Sequence, residues 1–288
     1  MTNDALAAGV HVLDVDGRPQ RYHVCGRGPV CLVHPGGPGL GWEYLRMPGL
    51  EVHLTMVYLE PVGTGASARL GHPDEYTVER YAHFTGAVLD RLDAPAPLLL
   101  GHSHGGFVAQ RYALDHPGRV GGLVLYSTSP LTGPGFWNAA VANVQLFPRR
   151  YPDRPAAADI PPAFAAALAA DTDETYTAEL RRLLPIYLAD PWRDPALLDT
   201  IRATLRAWVA PNRAQQPHPF DVRAELATLT SPTLVVTGAH DFICGPAWAG
   251  ELAAAVPRAE LVVLGGSGHL AHLEQADAFT ATVAAFAR

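Results

Sequence analysis

The sequence predicts an α/β fold: a mostly parallel central sheet with helices on both faces and a helical cap inserted in the second half. Three observations carry that expectation. Continuous apolar runs such as Leu98-Leu99-Leu100 and Leu234-Val235-Val236 suit strands covered on both faces, because neither side of such a strand meets water. Strand-like and helix-like periods alternate on either side of the middle of the chain, the pattern of a doubly wound sheet. Between about Leu131 and Val222 the alternation stops: twelve of the 26 prolines fall there and no strand pattern is present.

Taken in order, Val10 to Val15, Arg21 to Cys25, Val30 to Val33 and Leu54 to Leu59 are extended stretches separated by Gly/Pro turns and are expected as strands. From Tyr76 to Leu92 the period changes, and Tyr81, Phe84, Val88, Leu89 and Leu92 form one apolar helical face. Pro97 to Gly101 then reads as strand, Phe107 to His116 as helix and Gly122 to Tyr126 as strand. After the break come Pro232 to Thr237 (strand), Ala247 to Val256 (helix), Leu261 to Leu264 (strand) and Ala276 to Ala287 (helix). Within the break, Ala163 to Ala170, Thr177 to Leu188 and Pro195 to Val209 read as helices. Neither flank is a linker. The expected organisation is a core of residues 1–130 and 223–288 carrying a cap or lid of residues 131–222.

Composition narrows the function classes. The 288 residues are 48% hydrophobic and 17% charged, enough apolar material for a sizeable core. No apolar run approaches the roughly 18 residues of a membrane span, and the start Met1-Thr2-Asn3-Asp4 lacks a basic region, so a cytoplasmic protein is expected. A net charge of -7 and no basic run argue against a nucleic-acid partner. All 21 basic residues are Arg, which removes Schiff-base, P-loop and pyridoxal chemistry, since each needs a lysine amine. Cys25, Cys31 and Cys244 show no CxxC spacing and are expected as free thiols. The histidine clusters lack a plausible ligand spacing, so no metal and no cofactor are expected.

The chemistry concentrates at strand ends. Gly101-His102-Ser103-His104-Gly105 is G-x-S-x-G between an apolar strand and a helix, a junction where the chain turns sharply and small flanking residues let the serine hydroxyl project. Only six serines occur, and Ser103 alone stands at such a turn between glycines. A serine needs a base and an orienting carboxylate. Asp241 follows the strand 232–237 through Gly238-Ala239-His240, and His269 follows the strand 261–264 through Gly265-Gly266-Ser267-Gly268. His272 competes as base, while His102, His104 and His240 read as packing or pocket-lining residues. Asp241 is favoured as acid partly because the other strand end, Tyr126-Ser127-Thr128-Ser129, carries no carboxylate. For the oxyanion, the backbone N–H of His104 and of Gly37, in His34-Pro35-Gly36-Gly37-Pro38-Gly39, are the candidate donors.

Gly36-Gly37-Pro38-Gly39, Glu60-Pro61-Val62-Gly63-Thr64-Gly65-Ala66-Ser67, Gly101 to Gly106, Gly238 to Asp241 and Gly268-His269 together resemble the α/β-hydrolase superfamily across essentially the whole chain. The GGPG turn is similar to the proline iminopeptidase (prolyl aminopeptidase) branch, whose members carry a helical cap. The resemblance implies a Ser103, Asp241, His269 triad with an oxyanion hole from Gly37 and His104. It also implies that cap glutamates bind a free substrate amine, and Glu174 and Glu179 are the candidates by location. The chain departs from that branch at Glu60-Pro61-Val62-Gly63, where Asp-Gln-Arg-Gly is usual, and at His104, where Trp is usual. Among the cap aromatics, Trp137, Tyr187 and Trp192 are candidate lining of an apolar acyl or prolyl pocket. The expected activity is cofactor-free hydrolysis of a small ester, lactone, amide or short peptide through an acyl-enzyme on Ser103. A lyase, another non-hydrolytic enzyme or a ligand receptor on the same fold is the alternative.

Overall fold

The computed structural model describes residues 4–209 and 219–288 of the chain. Eight strands form one sheet: β1 (Gly9–Val15), β2 (Arg18–Gly26), β3 (Val30–His34), β4 (Thr55–Glu60), β5 (Leu98–His102), β6 (Gly122–Tyr126), β7 (Thr233–Gly238) and β8 (Ala259–Leu264). Their order is β1-β2-β4-β3-β5-β6-β7-β8. β1 and β2 pair antiparallel, as do β2 and β4, and every pair from β4 to β8 is parallel. The expected strands are all present, each within a few residues of its expected ends.

Ten helices accompany the sheet among the described residues: α1 (Pro48–Glu51), α2 (Val78–Leu92), α3 (His104–Asp115), α4 (Pro134–Arg150), α5 (Ile160–Ala169), α6 (Asp173–Leu183), α7 (Pro195–Thr204), α8 (Pro246–Ala255), α9 (Ala271–Glu274) and α10 (Ala276–Phe286). Side chains alternate across the strands, so the central strands feed two cores. Leu99, Leu123, Leu125 and Val235 pack with α2, α3 and α8, while Leu98, Leu100, Val124, Leu234 and Val236 pack with α10 and the helices between β6 and β7. Both faces are therefore buried, as the unbroken apolar runs require. No helix among the described residues is long and apolar enough to cross a membrane.

Helices α4 to α7 all lie between β6 and β7, with no strand among the described residues of that segment. Helix α4 is absent from the sequence expectation. Its apolar face, Phe136, Ala140, Val144 and Phe147, has helical spacing, but Gly135 and Pro148 interrupt the pattern that marks a helix. Pro134 stands at the first turn, where it lacks no needed N–H, and Pro148 falls in the last turn. The two ends of the segment meet. Leu131 and Asp221 form an antiparallel bridge, flanked by Thr132 N–H to Phe220 O at 2.7 Å and Val222 N–H to Pro130 O at 3.1 Å. The segment also pairs with the core loop after β3, where Trp208 N–H donates to Gly39 O at 2.7 Å and Gly41 N–H to Arg206 O at 3.0 Å.

Candidate active site

Ser103 occupies the turn from β5 into α3 with φ 54° and ψ -118°, a region that a non-glycine residue enters only when its surroundings hold it there. Three hydrogen bonds do so: Ser103 N–H to Tyr126 O at 2.9 Å, Gly106 N–H to Ser103 O at 2.9 Å and Thr128 Oγ1–H to Ser103 O at 2.8 Å. The flanking glycines are required by close approach. A methyl group on Gly101 would overlap the Gly105 carbonyl, and one on Gly105 would overlap the His34 carbonyl. The motif is thus a packing solution for a sharp strand-to-helix turn.

Asp241 and His269 come together from the ends of β7 and β8. The His269 ring donates from Nδ1 to Asp241 Oδ2 at 2.7 Å, between side chains that are both buried. The other carboxylate oxygen, Oδ1, accepts from Ile243 N–H at 3.0 Å and Cys244 N–H at 2.9 Å. Burial alone would raise the Asp241 pKa, but the His269 ring and these two N–H groups outweigh it and hold the carboxyl below its ordinary range. With its proton on Nδ1, His269 keeps Nε2 as a free lone pair.

His272 and His102 are otherwise engaged. His272 accepts at Nδ1 from the Tyr126 hydroxyl at 2.9 Å and donates from Nε2 to Tyr44 O at 2.9 Å. His102 accepts at Nδ1 from the Tyr44 hydroxyl at 2.8 Å, which itself accepts from Gly36 N–H at 2.8 Å, and donates from Nε2 to His269 O at 3.1 Å. A single file of hydrogen bonds therefore joins the turn carrying Gly37 to the backbone of His269. His240 is exposed. Burial lowers the imidazole pKa of His34 and His272 to about 4 and of His104 to about 3, and places His102 well below its usual value. All four are neutral at pH 7.

Gly37 has φ +127°, and a methyl group there would lie 2.5 Å from Gly39 N. Gly37, Ser103, His104, His269 and Leu270 line one cavity of about 580 Å³. Its remaining wall comes largely from the helical insertion, and Trp137 and Tyr187 are part of it. Trp192 is not: it packs on Tyr151 with ring centroids 4.6 Å apart, beneath the Arg154 guanidinium. Glu174 is exposed and Glu179 pairs with Arg182 at 2.8 Å. Neither glutamate lines the cavity, because the inward face of α6 is Tyr176, Leu180 and Leu183. Among the described residues no carboxylate lines it, and no group of three or more His, Cys, Asp or Glu is arranged to hold a metal ion.

Sequence reasoning missed Tyr44 and Glu274 and took His102 as packing. Tyr44 reaches His102 from 58 residues away, and no local pattern announces such a pairing.

Comparison with known proteins agrees with this architecture. A family model described as alpha/beta hydrolase fold matches residues 29–276. Proline iminopeptidase PfmaB of Pestalotiopsis fici is 24% identical over 276 residues, 93% of this chain and 95% of that protein. Pimeloyl-[acyl-carrier protein] methyl ester esterase of Edwardsiella ictaluri is 29% identical over 272 residues, 92% of this chain and 96% of that protein. The crystal structure of a hydrolase from Pseudomonas aeruginosa superposes with a TM-score of 0.71 at 27% identity, covering 97% of this chain and 98% of the other. The matched span covers strands β3 to β8, the elbow at Ser103 and the turn at His269, and on that ground the chain belongs to the alpha/beta hydrolase fold family and is a hydrolase.

Proposed function

We propose that the protein is a cofactor-independent serine hydrolase acting on a small carboxylic ester or lactone with an apolar acyl group. The observation that carries this reading is the cavity of about 580 Å³, lined by Ser103 and His269 at its base and mainly by apolar side chains elsewhere. In this mechanism His269 Nε2 takes the Ser103 hydroxyl proton as Oγ attacks the substrate carbonyl carbon, and the negative oxygen is held by the N–H groups of Gly37 and His104. Collapse breaks the bond to the leaving oxygen, which receives the proton from His269. Water then adds to the acyl-enzyme by the same route and releases the acid. Asp241 holds the His269 tautomer and offsets its transient positive charge. Residues 131–222 act as a cap over the core of 1–130 and 223–288, closing the substrate space.

A proline iminopeptidase-like activity is the second reading, supported by the GGPG turn and by the 24% identical relative of that name. It needs an acceptor for a free amine, and among the described residues the cavity wall supplies no carboxylate for it. The ester relative and the apolar wall favour the first.

A fluorophosphonate probe tests the chemistry. Labelling is expected at Ser103, and Ser103→Ala should lose both labelling and turnover by on the order of 10⁴-fold; unlabelled Ser103 or an active variant removes the mechanism. Asp241→Asn should lower kcat by on the order of 10³-fold or more with the fold intact, and full activity there would identify a different acid. Proline β-naphthylamide, its N-acetylated form and short p-nitrophenyl esters and lactones separate the substrates. Preference for the free amine over every ester would reverse the order of the two readings.

A further inference from the structure

The turn that carries His269 is laced directly to the helical insertion. Glu274, in α9, sends its two carboxylate oxygens to two different parts of the chain: Oε1 accepts from Ala189 N–H at 2.7 Å and Oε2 from Gly268 N–H at 2.6 Å. One residue further, His269 N–H donates to Tyr187 O at 2.7 Å. Gly268 is pressed so closely on residues 187–189 that a methyl group on it would lie 2.5 Å from Tyr187 O and 2.9 Å from the Leu188 carbonyl carbon. The outer side of the same segment is held by the Tyr151 hydroxyl, which donates to Ala189 O at 3.0 Å. Tyr187 turns its ring into the cavity, with its centroid 5.4 Å from that of His269.

We propose that Glu274 is a positioning residue for His269, clasping segment 187–189 of the insertion to the 268–269 turn so that the base is aligned only while the insertion is seated. The proposal rests on His269 acting as the base of the reaction above. Its physical basis is directness. No side chain intervenes between Tyr187 and His269 on one strand of the lacing, and one carboxylate alone joins Ala189 to Gly268 on the other. Burial raises the Glu274 carboxyl above its ordinary range while the Gly268 and Ala189 N–H groups pull it back, and as a carboxylate it links the two segments through charge-assisted hydrogen bonds, roughly twice as strong as neutral ones. Without it, the remaining bond from His269 N–H to Tyr187 O acts as a hinge, and the imidazole swings relative to Ser103. Misplacement of a catalytic group by about 1 Å costs up to about 100-fold in rate. Substrate binding depends on the apolar wall, which Glu274 does not line, so the effect falls on kcat.

Glu274→Ala and the near-isosteric Glu274→Gln, each checked for a native melting transition, are compared with the wild type in kcat, KM and rate of fluorophosphonate labelling. The low-field proton resonance of the His269 to Asp241 hydrogen bond is recorded for all three. The expected result for Glu274→Ala is a fall of about tenfold or more in kcat and in labelling rate, KM within about twofold, and a shifted or lost low-field resonance. Glu274→Gln keeps one acceptor oxygen and should fall between the two, and it decides the matter if the alanine variant does not fold. Wild-type kcat and labelling rate in a folded variant overturn the proposal, even if its melting temperature drops. Failure of the wild type itself to label at Ser103 instead removes the underlying hydrolase reading.

Discussion

Beneath Ser103, the imidazoles of His102 and His272 interlock with the phenols of Tyr44 and Tyr126 through hydrogen bonds of 2.8 to 2.9 Å. Above it, the insertion offers Trp137, Leu168, Leu183 and Tyr187 as a mainly apolar wall. The floor is specified by direction and proton count. Each ring nitrogen of His102 and His272 has one partner, and a wrong tautomer at either leaves two donors or two acceptors facing each other. The roof is specified by shape and area, which tolerate substitution far better. The contrast suits a hydrolase scaffold, because the reacting groups need fixed orientation while the substrate pocket needs only a fitting surface.

Acid should break the floor before the roof. His34, His102, His104 and His272 are held neutral by burial, whereas the same residues in an unfolded chain titrate near 6.5. Between that value and about 4 the unfolded chain binds more protons than the native one, so stability is lost as pH falls through this window. The combined loss is on the order of several kcal/mol. Asp241, held below its ordinary range, adds a further loss as pH falls below that range. Thermal melts at pH 7, 6 and 5 check this, and a melting temperature unchanged between pH 7 and 5 would contradict it.

Tyr44→Phe probes the floor at one atom. It leaves Gly36 N–H and His102 Nδ1 without the partner that joins them, a loss of about 1 to 3 kcal/mol. A lower melting temperature and a kcat reduced by roughly tenfold are expected, and a wild-type kcat would mean that the file of hydrogen bonds does not orient His269. Trp137→Ala probes the roof and should have the smallest effect. The side chain is 40% exposed, so stability should change by less than about 1 kcal/mol. KM should rise a few-fold for the longest esters, and a loss of stability like that of Tyr44→Phe would erase the distinction.

The same division decides what was legible in the sequence. The elbow at Ser103 is a local arrangement of five residues, and Asp241 and His269 each follow a strand through a short glycine-bearing turn, so their positions could be read along the chain. The sheet was legible because β5, β6 and β7 are apolar at successive residues. The floor was not, because its pairs are separated by 58, 146 and 167 residues, and nothing nearby marks Tyr44 or His102 as partners. The roof was half legible. Its helices show their period, yet Glu174 and Glu179 were chosen by location in the insertion, whereas the spacing of Tyr176, Leu180 and Leu183 already defines which face of α6 turns inward.

The bridge between Leu131 and Asp221 makes neighbours of two points on either side of the whole helical segment. Whatever lies between them leaves and returns through one doorway, so the pairing of Leu123 to Tyr126 with Thr233 to Val236 does not depend on its length or content. The cost of closing a loop grows only with the logarithm of its length. A chain built this way can exchange its entire roof, for a longer one or a differently shaped one, while the orientation of Ser103, Asp241 and the file of hydrogen bonds below is inherited unchanged. What such an exchange must carry with it are the short stretches that grip the core, 187–189 against the His269 turn and 206–208 against the loop after β3.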